Sequence, residues 1–495
     1  MLDTLDLDTF RRLLAGRTID VARAANEYRL GGVDLAKVDL DRDGRISTRA
    51  EIDALFRQID KADTNGDRYS VRFREKDGRW NDTSNKLQVI GELAGVDIFR
   101  ELSRDAVVLV GMNKGSRHEA AALKRGGRHV VYITNSKVED NVDVGGTRYN
   151  LRNDGDLARF VGLLGLPAGQ AGQIAEAIKA SQVAAADELA TIAWNWAPAE
   201  KGADIPRRLV LSGHSYGEGV FGDGNGHLVR DVIAKLARAM PKAAGQLEDL
   251  HISGCYTAGA YNMARWREIF PNVLTIWAYT GSAPGSGNGA TAHLVLWDHA
   301  TRGSKDAIDR LIAAKTNEGE SVAVWSLAHG YKDGRPPVAL ATLKARLSQQ
   351  DPVFPAYFSG EKEVGSPYSG ELRRYYNTIQ ELLQRLDLPA GEKPAMETKR
   401  DVTIRLLYYS KSIRGKFATT HARLISQGYA SLGLTPPDFG KLSRKDALAA
   451  IRRFTDAAKT RPSLPGDAQA VRPMLEQGLR DLLPGPIPAI PETWI

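Results

Sequence analysis

Between residues 106 and 327 the chain alternates continuous apolar runs with stretches of helical spacing. The runs are Ala106–Val110, His129–Ile133, Arg208–Gly213, Leu250–Gly254 and Val273–Ala278, and Gly319–Leu327 supplies a sixth. Ala106–Val110 is apolar at successive positions rather than at every second one, the pattern of a strand buried on both faces. Helical spacing fills the intervals, at Arg117–Lys124, across 156–197 and at Leu228–Ala239. Strands alternating with helices predict an α/β domain, a mostly parallel sheet covered on both faces, over residues 100–335. Residues 1–95 read as a helical region interrupted by two acidic loops. Beyond the turn Arg335-Pro336-Pro337, residues 336–495 read as a second helical region broken by proline and glycine. No solenoid repeat is visible.

Composition adds bounds. Hydrophobic residues are 42% and charged residues 26% of the 495, which is ordinary for a globular protein. The single cysteine excludes an intrachain disulfide and gives no support for an oxidising compartment. The first ten residues carry Asp3, Asp6 and Asp8, unlike a secretory signal, and no apolar run reaches the ~18 residues of a membrane span. A cytoplasmic protein, or one exported without a signal peptide, is expected. The net charge of +7 is uneven: Lys399–Arg461 holds fourteen Lys/Arg against four Asp and no Glu, so this segment is +10 and the remainder −3. Such a segment could attract an anionic partner, or dock on the rest of the chain.

The candidate chemistry lies at two strand ends. Arg208–Gly213 runs into His214, and Leu250–Gly254 runs into Cys255, forty-one residues later. Parallel strands open their ligand crevice at the carboxyl edge, and an imidazole there can deprotonate a thiol or stabilise its thiolate. A second nucleophile competes. Gly213-His214-Ser215-Tyr216-Gly217 matches the G-x-S-x-G elbow of serine esterases, with Ser215 as nucleophile and Asp298, His299 or His329 as partners. The elbow needs a helix next, yet residues 217–226 contain five glycines, at roughly 1 kcal/mol each in a helix.

Taken in order, these features resemble the caspase-like fold of cysteine peptidases, the group of caspases, metacaspases, legumains and gingipains. The matching parts are the Leu209–His214 strand, Phe221–Gly226 as a glycine-rich hairpin, an amphipathic helix over Leu228–Met240 and the strand ending at Cys255. Thr275–Gly285 matches the strand and loop that hold extended substrate. The resemblance implies a cysteine endopeptidase acting on protein or peptide substrates through His214 and Cys255. The backbone N–H of Ser215, where the family has glycine, would serve the oxyanion. Arg117 stands where an arginine selects aspartate in caspases, and Ser253 where metacaspases carry an acid.

The acidic loops point to calcium. Asp39, Asp41, Asp43 and the carbonyl of Arg45 occupy ligand positions of an EF-hand loop, with Gly44 at the bend and Ile46 placed to pair with a partner loop. The closing acid, Glu51, comes one residue late. A second loop offers Asp63, Asn65 and Asp67, with Arg68 in the glycine position and Glu75 again one late. Turns at helix ends produce the same residues without an ion. A catalytically inactive calcium-binding scaffold is the alternative outside enzymes.

Overall fold

The computed structural model describes residues 7–30, 33–61, 71–74, 80–83, 86–96, 106–126, 128–134, 140–181, 185–222, 226–285, 289–301, 322–333 and 338–482. Seven strands form its central sheet: β1 (Val107–Gly111), β2 (Val130–Ile133), β3 (Arg208–Ser212), β4 (Asp249–Ser253), β5 (Thr275–Tyr279), β6 (Val322–Ser326) and β7 (Gly330–Asp333). Their order across the sheet is β7-β6-β5-β4-β3-β1-β2. The neighbours from β2 to β5 are parallel; β6 is antiparallel to β5 and β7 antiparallel to β6, so β6 alone runs against the rest of the sheet. The α/β reading is therefore correct, with a mixed and largely parallel sheet flanked by helices.

Alternate residues of the same strands feed opposite faces, as the pleat requires. Val108, Val110, Leu209, Leu211, Leu250, Ile252 and Ile276 join one large core with the helices Asp154–Leu163, Ala168–Lys179, Ala186–Glu200, Arg230–Ala239 and Ala260–Ile269. Val107, Leu109, Val210 and Trp277 join a smaller core with Ser116–Arg125 and Gly289–Ala300. Burial on both faces explains why β1 and the Leu209–Leu211 run of β3 are apolar without alternation; β4 alternates Leu250 and Ile252 with the buried polar His251 and Ser253.

Four elements depart from the sequence reading. Asn141–Val144 and Thr147–Asn150 form a hairpin in a stretch to which the sequence reading assigns no element. Gly145 and Gly146 turn it with φ of 56° and 78°, the left-handed pair such a two-residue turn demands. Residues 1–95 are not wholly helical: Tyr28–Leu30, Val71–Arg74 and Trp80–Thr83 make a three-stranded antiparallel sheet. Leu228 belongs to a strand, His227–Val229, and the helix begins at Arg230. Finally, β6 turns back into β7, a strand the sequence reading lacked.

The C-terminal helices divide by use. Leu343, Leu347, Tyr357, Tyr376, Ile379, Leu382, Ile404 and Leu407 form one core that takes in Tyr256, with Tyr216 and Cys255 packed against it. Ile413, Phe417, Tyr429, Phe439, Ile451, Phe454 and Leu475 form another, without any residue of the sheet region. The N-terminal region has its own core, from Phe10 to Ala94.

Candidate functional site: the carboxyl ends of β3 and β4

The pairing of β3 with β4 sets Ser212 opposite Ser253. Just beyond, the Gly213 N–H donates to the Ser253 carbonyl at 3.1 Å. His214 and Cys255 thus follow the ends of neighbouring strands, each two residues past the last paired position. These ends lie beside the gap between β1 and β3, where chain order reverses and ligands bind in open α/β sheets.

Close packing explains both glycines. A Cβ on Gly254 would lie 2.9 Å from the Ser215 Cβ, and one on Gly213 would lie 2.8 Å from the Phe221 carbonyl oxygen. His214 exchanges backbone hydrogen bonds with Phe221 at 2.8 and 2.9 Å. The chain then forms the antiparallel pair Gly219–Phe221 and His227–Val229, the expected glycine-rich hairpin. His214 itself is exposed.

Below the strand ends lies a group the sequence reading missed. Glu119, 1% exposed, accepts from Ser253 Oγ at 2.6 Å and from Ser212 Oγ. Burial pushes its pKa up, against the lowering effect of the two hydroxyls. One carboxyl thus ties together two matching tripeptides, Ser212-Gly213-His214 and Ser253-Gly254-Cys255. The repeated Ser-Gly was a readable signal for this bridge; the acid, more than ninety residues away, carried none.

Cys255 Sγ accepts one hydrogen bond among the described residues, from the Ala283 N–H at 3.2 Å. Burial pushes the thiol's pKa up, opposed by that N–H and by the charge of Arg373. The next residue, Tyr256, has φ 59°, left-handed and uncommon for a bulky side chain. Its N–H donates to the Gly281 carbonyl at 2.8 Å and its hydroxyl to Asn377 Oδ1 at 2.7 Å, holding the turn that aims Sγ outward.

Much of this support comes from one C-terminal helix, Glu371–Leu383, and the residue after it. Arg373 Nη2 donates to the Tyr256 hydroxyl and, at 2.8 Å, to Ser282 Oγ. Gln380 Nε2 donates to the Tyr216 carbonyl at 2.8 Å and Gln384 Nε2 to the Thr280 carbonyl at 2.9 Å. The loops after β3, β4 and β5 are thus gripped by one element. Beside it, Arg400 pairs with Glu218 at 3.0 Å. Burial lowers the His227 pKa to about 4, only partly offset by Glu218.

Other sequence candidates are placed as follows. Ser215 is buried, and its Oγ accepts from the Gly217 N–H at 3.0 Å. A hairpin, not a helix, follows it, so the elbow geometry is lacking. Asp298 is held by two buried arginines, Arg128 and Arg208, each at 2.7 Å. His299, His329 and Arg117 are exposed. Ser253 is tied to Glu119 as above.

In the N-terminal region, ligand atoms of Asp39, Asp41 and Asp43 lie within 4.8 Å of one another. Arg42 and Gly44 take φ of 62° and 81°, bending the loop around them. Ile46 does pair, but with Ile19 rather than with a second acidic loop. Asp63, Asn65 and Asp67 fall outside the described residues. Hard carboxylate oxygens at this spacing suit calcium. The closing position suits it less: Glu51 Oε1 accepts from the Leu40 N–H at 3.1 Å, and Oε2 from those of Ser47 and Thr48 at 3.0 and 2.9 Å. Burial raises the Glu51 pKa, but these N–H groups outweigh it and bring the value down to about 2.

The basic segment is less free than its charge suggested. Arg400 and Arg444 are buried, Arg444 on the carbonyls of Tyr357 and Phe358; Arg414 pairs with Glu363 and Lys399 with Asp351. Among the described residues no helix is long and apolar enough to cross a membrane. Compared with protein-family models, curated proteins and solved structures, the chain matches none.

Proposed function

We propose that the protein is a cysteine endopeptidase of caspase-like type, with Cys255 as nucleophile and His214 as general acid and base. The observation that supports the reading is the parallel pairing of β3 with β4, neighbouring strands whose carboxyl ends lead into His214 and Cys255. The imidazole is exposed and the thiol half-buried, its sulfur accepting from the Ala283 N–H. Catalytic hydrogen bonds between a nucleophile and its base often tighten only when substrate binds.

On substrate, His214 takes the thiol proton as Sγ bonds to the peptide carbonyl carbon. The N–H groups of Ser215 and Cys255 face the developing oxyanion, each such donor being worth about 3 kcal/mol. His214 returns the proton to the leaving nitrogen, the C–N bond breaks, and water hydrolyses the thioester. The loop Gly281–Gly285, next to Sγ through Ala283, lies along the path an extended substrate would take. Calcium at Asp39, Asp41 and Asp43 would be a hard-cation site stabilising the N-terminal region, made weak by the engaged Glu51.

A peptidyl electrophile tests the assignment. The reading expects one covalent adduct per chain, on Cys255, formed at least ~100-fold faster than with a simple alkylating reagent of equal intrinsic reactivity. His214→Ala should remove that advantage. Adduct formation at the same rate for both reagents would overturn the assignment.

A further inference from the structure

Among the described residues, few charged groups stand around the sulfur. From the end of β3 comes His214, exposed; next in the chain is Tyr256; the loop after β5 supplies Ser282 and Ala283, both uncharged. Further out, past Tyr216, lies the Glu218–Arg400 pair. The remaining charge is Arg373, 6% exposed, on the helix Glu371–Leu383. Its guanidinium grips the residue that follows the nucleophile, at the Tyr256 hydroxyl, and the residue before the N–H that Sγ contacts, at Ser282 Oγ. It also stacks 5.5 and 5.3 Å from the rings of Tyr256 and Tyr376, which fix its plane.

We propose that Arg373, supplied by the C-terminal helical layer, is the positioning residue whose positive charge holds the Cys255 thiolate, the role expected of His214 from sequence. It deepens the proposed peptidase reading, resting on Cys255 as nucleophile, and it makes the helical layer part of the reactive centre. The physical basis is simple. A buried thiolate needs a nearby cation, and among the described residues the charge of Arg373 is one that favours this thiolate. An arginine keeps its charge at any working pH, so the thiol is tuned without depending on a second titration.

Because Cys255 is the single cysteine, iodoacetamide alkylation of the full chain reports on one thiol and needs no peptidase substrate. Rate against pH would be compared for wild type, Arg373→Met, Arg373→Lys and His214→Ala. Arg373→Met should move the profile to higher pH by about one unit, a roughly tenfold slower reaction at pH 8. Arg373→Lys should restore most of it, which a purely structural role would not predict. His214→Ala should move the profile by less than Arg373→Met does. An unmoved profile in Arg373→Met, or an equal or larger shift in His214→Ala, would overturn the proposal. If Arg373→Met fails to fold, Arg373→Lys against Arg373→Gln makes the same comparison. Alkylation that follows the proposal while the peptidyl electrophile gains no advantage would separate this inference from the peptidase reading.

Discussion

The two parts of the C-terminal helical region share a composition and differ in use. In both, amphipathic helices carry apolar stripes and arginines. The layer from Leu340 to Leu407 spends its polar side chains on other elements: Arg373, Gln380 and Gln384 hold the loops after β3, β4 and β5. The helices from Ile413 to Leu475 close on themselves, with Tyr429 donating to the Ala450 carbonyl at 3.0 Å inside their own core. Helical periodicity reports that a face is buried but not what buries it. Only the partners of the polar residues distinguish a cap over a reactive edge from a self-contained bundle.

That contrast can be broken experimentally, and the largest effect should come from the cores. Tyr376→Ala in the capping layer and Phe454→Ala in the distal bundle remove fully buried rings and should each cost about 3–5 kcal/mol in denaturant unfolding. Only Tyr376→Ala should also slow Cys255 alkylation in the folded fraction; equal slowing by both would erase the distinction. Next in size is the bridge below the site. Glu119→Ala strands two buried hydroxyls and should lower peptide cleavage by ~10–100-fold with a stability loss of roughly 2 kcal/mol, whereas Glu119→Gln should retain most of both.

A smaller effect concerns acid. His227 is buried near neutrality with a pKa lowered to about 4, below the unfolded value of about 6.5. A lowered histidine pKa gives stability that is complete above pH ~6.5 and lost as pH falls towards 4. Hydrogen exchange should therefore show the hairpin and Glu371–Leu383 loosening over that window before the distal bundle does. His227→Gln should flatten the dependence. The smallest effect is expected at the acidic loop. Glu51→Gln should destabilise the N-terminal region by about 1–2 kcal/mol, and chelation should lower its melting point without changing the rate of peptide cleavage.

How much was legible follows from the range of each interaction. The strands were readable because burial on both faces makes a local apolar run. The place of His214 and Cys255 just beyond β3 and β4 was readable because the strand patterns stop there. The Gly145-Gly146 hairpin was written locally and passed over. By contrast Glu119, Arg373, Gln380 and Gln384 act across more than ninety residues of chain, and each looks like an ordinary helical residue. The basic segment left two readings open for the same reason: formal charge is local, while the carboxylates and carbonyls that receive Arg400, Arg414 and Arg444 are not. In the acidic loop, the late acid at Glu51 was visible, but not its engagement with three backbone N–H groups.

The central claim is that Cys255 cuts peptides, and cleavage of a diverse peptide pool in calcium tests it most directly. Wild type, Cys255→Ala and Ser215→Ala would be run side by side, with products read by mass spectrometry. The account predicts cuts with wild type, none with Cys255→Ala, and their persistence at reduced rate with Ser215→Ala. The same cuts from Cys255→Ala as from wild type would contradict it.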